Sequence, residues 1–182
     1  MVILRYLALS LLLFSSLESK GQIAFYRIFG GKGYDRGAGI AQLPDSSYII
    51  TGSSSSFEDA PAQAFLLKLN KQGFHTWSKE YGGPEFDEGR RVIFVPNYGY
   101  YIVGTSSSNS TGGFDGYVVF TDLAGNQQWE KWYDNGAWER FHDAFLLPDT
   151  SLVLLGETDA NPEQVTDRYF TRIDKNGNVI WE

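Results

Sequence analysis

The sequence predicts an all-β fold: a partial β-propeller of about three four-stranded antiparallel blades, preceded by a signal peptide. Three observations carry that prediction. A pattern of landmarks repeats every 52 residues with no insertion or deletion. Each complete unit holds four short strand-length runs separated by Pro, Asx and Gly turns, which is strand rather than helix punctuation. After residue 21 no apolar period of 3.6 residues reaches helical length.

Residues 1–21, MVILRYLALSLLLFSSLESKG, are expected to be the signal peptide. Arg5 precedes an apolar run from Tyr6 to Leu17, about 12 residues long, whereas a bilayer span takes roughly 20. Ser19 and Gly21 place small side chains at the −3 and −1 positions for cleavage before Gln22. The remaining chain carries 13 basic and 21 acidic residues, a charge of −8. That acidity argues against a nucleic-acid partner, which demands a basic footprint. The absence of Cys excludes disulfide frameworks, thiolate nucleophiles and Cys-based zinc sites. With His75 and His142 as the only histidines, most metal and acid–base chemistries lack their usual parts. An exported chain without Cys fits a bacterial envelope or secreted protein better than a eukaryotic ectodomain.

One unit reads as follows. Phe29-Gly30-Gly31 recurs as Tyr81-Gly82-Gly83 and degenerates to Tyr133-Asp134-Asn135. Asp35 recurs as Asp87 and Glu139. A first strand, such as Gly39–Leu43, closes at the turn Pro44-Asp45-Ser46-Ser47, matched by Pro96-Asn97-Tyr98-Gly99 and Pro148-Asp149-Thr150-Ser151. Pro presets φ and an Asx side chain bonds its own backbone, so these are turns. Second strands follow at Tyr48–Gly52, Tyr100–Gly104 and Leu152–Gly156, apolar at successive positions and therefore buried on both faces. After a polar stretch come the third strands, Ala64–Asn70, Gly116–Asp122 and Arg168–Asp174. Gly73, Gly125 and Gly177 close the next turns, where a hairpin needs positive φ. Fourth strands run from Trp77 to Tyr81 and from Trp129 to Tyr133, with Trp181 in the same phase. Four strands per unit of about 50 residues is a propeller-blade pattern.

Tyr81-Gly82-Gly83, Asp87-Glu88-Gly89, Tyr100–Gly104, Asp122-Leu123-Ala124-Gly125 and Trp129-Glu130-Lys131-Trp132-Tyr133 together resemble the repeats of secreted bacterial β-propeller proteins. Repeats of this kind occur in envelope and type IX-exported proteins of Bacteroidota-type bacteria. The resemblance covers roughly residues 25–182 and implies an adhesive or scaffolding role at the cell surface. The third unit departs from the pattern: Asn135 replaces the second Gly, Glu139 replaces Asp, and Phe141 replaces the glycine of Asp-x-Gly. Its loop into the first strand is expected to take a different backbone path.

The expected division is residues 22–31 as an orphan fourth strand, 32–83 as blade 1, 84–135 as blade 2 and 136–182 as an incomplete blade 3. Four units would need about 208 residues, more than the 161 left after cleavage. The chain is therefore expected to be part of a longer propeller, or half of a six-bladed dimer closed by exchanged orphan strands. Open blade edges would favour self-association.

Asp35, Asp87 and Glu139 could serve as paired acids for glycoside chemistry, but their recurrence in every unit favours carboxylates that accept backbone N–H bonds in their own blade. Ser53–Ser56 and Ser106–Ser108 lack a nucleophile elbow and read as loop serines. Asp174-Lys175-Asn176-Gly177-Asn178 starts like a calcium loop but lacks the distal Glu, so it reads as a turn. Trp77, Trp129 and Trp181 read as inter-blade packing, whereas Trp132, Tyr98 and Trp138 are candidate stacking platforms. In an up-down blade, the long loops 53–63, 105–115 and 157–167 share one end with the loops into the first strands. Variable loops on a rigid frame are where recognition is usually placed. A protein or glycan partner is thus expected on that end, at Phe57, Glu58, Phe114, Asp115, Trp138 and Gln164. No catalytic residue, metal ligand or cofactor is expected, nor any nucleic-acid partner or membrane span. The expected function is an exported, non-catalytic module for binding, adhesion or scaffolding, secreted or on the outer face of the outer membrane. The alternative is part of a larger carbohydrate- or polymer-active envelope enzyme whose site lies outside these residues.

Overall fold

The computed structural model describes residues 26–56, 61–109, 113–160 and 165–182. The expected signal peptide, residues 1–21, lies outside them. Among the described residues there is no helix, and so none long and apolar enough to cross a membrane. Twelve strands form three four-stranded antiparallel sheets, each in simple sequence order. The first sheet holds β1 (Asp35–Gln42), β2 (Tyr48–Ser54), β3 (Gln63–Leu69) and β4 (His75–Tyr81). The second holds β5 (Asp87–Val95), β6 (Gly99–Ser106), β7 (Asp115–Asp122) and β8 (Gln127–Tyr133). The third holds β9 (Glu139–Leu146), β10 (Leu152–Thr158), β11 (Asp167–Ile173) and a short β12 (Val179–Trp181). This is a propeller-like row of blades, and the described residues do not close it into a ring.

The sheets pack face to face, with first strands innermost: β5 lies against β1 and β2, and β9 against β5 and β6. Between the first two sheets Ile49, Leu66 and Tyr81 meet Val92, Tyr100, Ile102 and Tyr117. Between the second and third, Tyr101, Val103 and Val118 meet Phe141, Leu154 and Tyr169. Tyr100, Tyr117 and Phe141 keep no exposed surface, and burying such a side chain stabilises by roughly 2 kcal/mol. The middle sheet has a neighbour on each side, which is why β6 is buried at every position. The end sheets have one open face each, so Phe145, Leu155 and Phe170 of the third sheet stay exposed.

Polar ties repeat with the packing. The Tyr81 hydroxyl donates to the Gly125 carbonyl at 2.7 Å, and Tyr133 to Gly177 at 2.9 Å. Lys79 Nζ donates to Asn126 Oδ1 at 2.6 Å, and Lys131 Nζ to Asn178 Oδ1 at 2.8 Å. Burial, with the Asp174 charge nearby, pushes the Tyr101 phenol up to about 12. Trp77 and Trp129 pack into the two interfaces, whereas Trp181, in the same phase, meets no further sheet among the described residues and is exposed.

Each first strand carries a β-bulge opposite the glycine of the second strand, with Ala38, Arg90 and His142 as the extra residues. Here lies the reason for Gly52, Gly104 and Gly156. A Cβ on Gly104 would overlap the Glu88 carbonyl oxygen, and the other two would meet Arg36 and Arg140 carbonyls in the same way. The bulge turns Arg90 toward its neighbours. Glu88 accepts from Arg36 at 2.7 Å and from Arg90 at 2.9 Å, and Arg90 reaches His142 at 2.5 Å.

Two local details go beyond the sequence reading. Of the expected orphan strand 22–31, the described part, residues 26–31, is irregular; Phe29 packs on Phe65 and Leu67 instead of pairing. The Pro turns are not all alike either. Ser46 and Thr150 take positive φ, at 65° and 67°, but in the second unit Asn97 does so at 66°, one position earlier. Asp45 and Asp149 instead accept the N–H of Ser47 and Ser151, at 3.0 and 3.1 Å.

Candidate functional site

The end of the sheets that carries the long loops is built from two junctions where one sheet leads into the next. At the first, the Asp87 N–H donates to the Ala62 carbonyl at 2.8 Å, stitching β5 to the loop before β3. The Asp87 carboxylate accepts from the Gly83 N–H at 2.8 Å and the Ser108 hydroxyl at 2.7 Å. Burial raises its pKa, and the hydroxyls of Ser106 and Ser108 only partly offset that rise. Asp35 repeats the arrangement before β1, accepting from Gly31 N–H at 3.0 Å, Ser56 at 2.7 Å and Ser54. What little burial Asp35 has would raise its pKa, but those three donors outweigh it and hold the carboxyl low. The repeated acids are therefore loop staples, and the Ser runs supply their hydroxyl donors. Asp174 likewise accepts the N–H groups of Asn176 and Asn178, each at 2.8 Å, as a turn.

The second junction keeps the stitch and changes everything around it. The Glu139 N–H donates to the Phe114 carbonyl at 2.7 Å. Gln63 and Gly82 of the first junction are here Asp115 and Asp134, and Gly136 rather than residue 134 takes positive φ, at 83°. Carboxylate oxygens of Asp115, Asp134 and Glu139 lie within 4.8 Å of one another. Asp115 and Glu139 are buried, and Asp134 is exposed. Thr158 donates to Glu139 Oε1 at 2.9 Å, while Oε2 is buried with no hydrogen-bond partner among the described residues. Burial first, then the charges of Asp134 and Glu139, pushes the Asp115 carboxyl up to about 6. Glu139 is raised by burial and by Asp134 and Asp159, against the lowering effect of Thr158 and the Asn135 N–H. Like charges this close disfavour one another's ionised form.

Beside the acids runs an aromatic row. Phe86 meets Phe114 edge-on at 6.0 Å between centroids, and Phe114 meets Trp138 at 5.5 Å. The Arg140 guanidinium lies 4.5 Å from the Phe114 ring and 5.3 Å from the Trp138 ring, and 3.8 Å from Glu157. The Trp138 backbone N–H donates to Asp159 at 2.6 Å, and its ring lies where Gly113 has no side chain. Almost half of Trp138 remains exposed, 47%, so part of it is open to a partner.

Of the residues expected to meet a partner, Phe114, Asp115 and Trp138 come together at this junction. Phe57, Glu58 and Gln164 lie outside the described residues. Asp115 is not a surface contact, as expected from its loop position: it opens β7 between the second and third sheets and is 2% exposed. Trp132 is no platform, because it packs at the first interface with its indole N–H donating to Ser106 at 2.8 Å. Tyr98 is exposed but sits in a tight turn at the opposite end. Sequence reasoning missed Arg140 and Asp134 as site residues. The signal for Asp134 was available, since it is the one acid at a place where the other units have glycine.

A cavity of about 380 Å³ lies elsewhere, on the outer face of the first sheet against Phe29, Ile50, Phe65 and Leu67. The in-phase residues Ile102, Tyr117 and Val119 bury against the preceding sheet. It is thus a sheet-packing face, not a small-molecule pocket. No protein-family model matches this chain, and no curated protein matches it.

Proposed function

We propose that this chain is an exported propeller-repeat module, of the secreted bacterial kind its repeats resemble, that binds or scaffolds at the cell surface without catalysis. It meets a protein or glycan partner at the second junction, through Trp138, Phe114 and Arg140. The observation that carries this reading is the half-exposed Trp138, packed edge-on to Phe114 and beside a guanidinium, at the one junction where the repeat loses its symmetry. A planar aromatic with an adjacent Arg suits sugar rings or peptide side chains, and fixing it beforehand lowers the entropy lost on binding. Asp35 and Asp87 accept bonds from their own loops, as structural carboxylates of a repeat do, which supports the non-catalytic reading. Ring closure, by further blades or by a second copy, would cover the open faces at Phe65 and Phe170.

The test is binding of the purified chain to bacterial surface extracts and to an array of surface glycans. Trp138→Ala is expected to weaken binding at least tenfold, with Phe114→Ala next. Retention of full binding after the long loops are replaced by Gly-Ser linkers would overturn the assignment to this end. Light-scattering mass measurement checks closure: a stable monomer removes the dimeric ring.

A further inference from the structure

We infer that the Asp115–Asp134–Glu139 cluster is a calcium site that locks the third sheet onto the second. Three carboxylates converge there from three different places: the start of β7, the residue after β8 and the start of β9. Their oxygens lie no more than 4.8 Å apart, which is about twice a calcium–oxygen bond of roughly 2.4 Å. One ion can therefore touch all three. None of the three acids pairs with Lys or Arg among the described residues, and nearby Arg140 is engaged by Phe114, Trp138 and Glu157.

A second observation points the same way. Glu139, one of the three, is fully buried, and its Oε2 has no hydrogen-bond partner among the described residues. A buried carboxylate oxygen left bare is costly, and a cation supplies the missing partner. Asp87, the acid in the same phase, also has one oxygen without a well-formed bond, but the Ser106 hydroxyl lies beside it and no other acid joins it. The donor set is all oxygen and lacks His, which favours a hard cation over zinc. Calcium suits the spacing better than magnesium, whose bonds of about 2.1 Å would draw the oxygens closer. The site does not depend on the binding role proposed above, because it reads as a structural clamp whether or not a partner docks on Trp138.

The test uses the purified chain with calcium chloride, magnesium chloride or a chelator. Calcium is expected to raise the melting temperature by about 3–5 °C at tenfold its dissociation constant. Terbium should bind in calcium's place and luminesce on tryptophan excitation. Asp134→Gly, which restores the residue of the other two units, and Asp115→Asn should each weaken both responses at least tenfold. No calcium response up to about 10 mM, beyond the range of weak extracellular sites, would overturn the inference. So would an equal response to magnesium, or a response that both variants retain.

Discussion

The two junctions between sheets are written in the same phase and do different work. At the first, Gly82 has no side chain because the Asp87 carboxylate occupies the space a Cβ would take. One acid then takes a backbone N–H and a serine hydroxyl from its own loops on one oxygen, and no other acid joins it. At the second, Asp134 replaces the glycine, the acid lengthens to Glu139, and the turn moves its positive φ to Gly136. Three carboxylates gather where the first junction has one. The strand order and the stitch are kept, while Phe141 fills the interface where the first junction has Gly89 and the substitutions to Asp115, Asp134 and Glu139 gather the acids. Repetition makes the frame, and departure from it marks the place to look.

Swapping the two residues that differ is the sharpest way to break the comparison. Gly82→Asp would place a Cβ inside the Asp87 carboxylate, at φ 125°, and add a second charge beside a buried one. It should cost about 3 kcal/mol or more in denaturant unfolding. Asp134→Gly, measured with chelator, should cost less than about 1 kcal/mol, since it removes an exposed like charge. Equal costs would mean that the two junctions are built alike after all.

A smaller effect tests what the junctions share. Tyr81→Phe and Tyr133→Phe each remove one buried hydroxyl donor to a glycine carbonyl in the next sheet. Each should cost about 1–2 kcal/mol, and by the same amount within error. A large inequality would show that the interfaces differ beyond their loop ends.

The smallest effect is in acid. Asp122 and Asp174 cap equivalent turns, and the N–H groups of Asn126 and Asn178 chiefly hold both carboxyls below 3.8. A lowered carboxylate pKa stabilises the fold above the unfolded value and loses that contribution as pH falls through the folded one. The melting temperature should therefore drop below pH 3.8, and Asp122→Ala should flatten part of that drop. The buried Asp87, raised chiefly by desolvation, has the opposite sign: its contribution fades as pH rises through its folded value. Thermal scans across pH 2–7 in wild type and Asp122→Ala separate the two.

Much of the frame was legible. Strand positions, the turns at Gly73, Gly125 and Gly177, and the structural role of Asp35 and Asp87 follow from periodicity and turn chemistry, which are local. The candidate site was half legible. Phe114 and Trp138 could be placed on the long-loop end from topology alone. The burial of Asp115 could not, because it depends on how closely β9 approaches β7. Trp132 misled for a related reason: its position among polar neighbours in β8 does not reveal that its indole lies over Tyr117, 5.4 Å away between ring centroids.

By itself, then, the sequence determined the all-β class, the 52-residue unit and the order of strands within each sheet. Those depend on spacing, on glycine and proline geometry and on apolar runs, all read within a few residues. Only the tertiary structure decided that residues 115, 134 and 139, each at the margin of a different strand, bring their carboxylates together. Charge repulsion and desolvation act through space, and a repeat pattern read along the chain carries no distance between sheets.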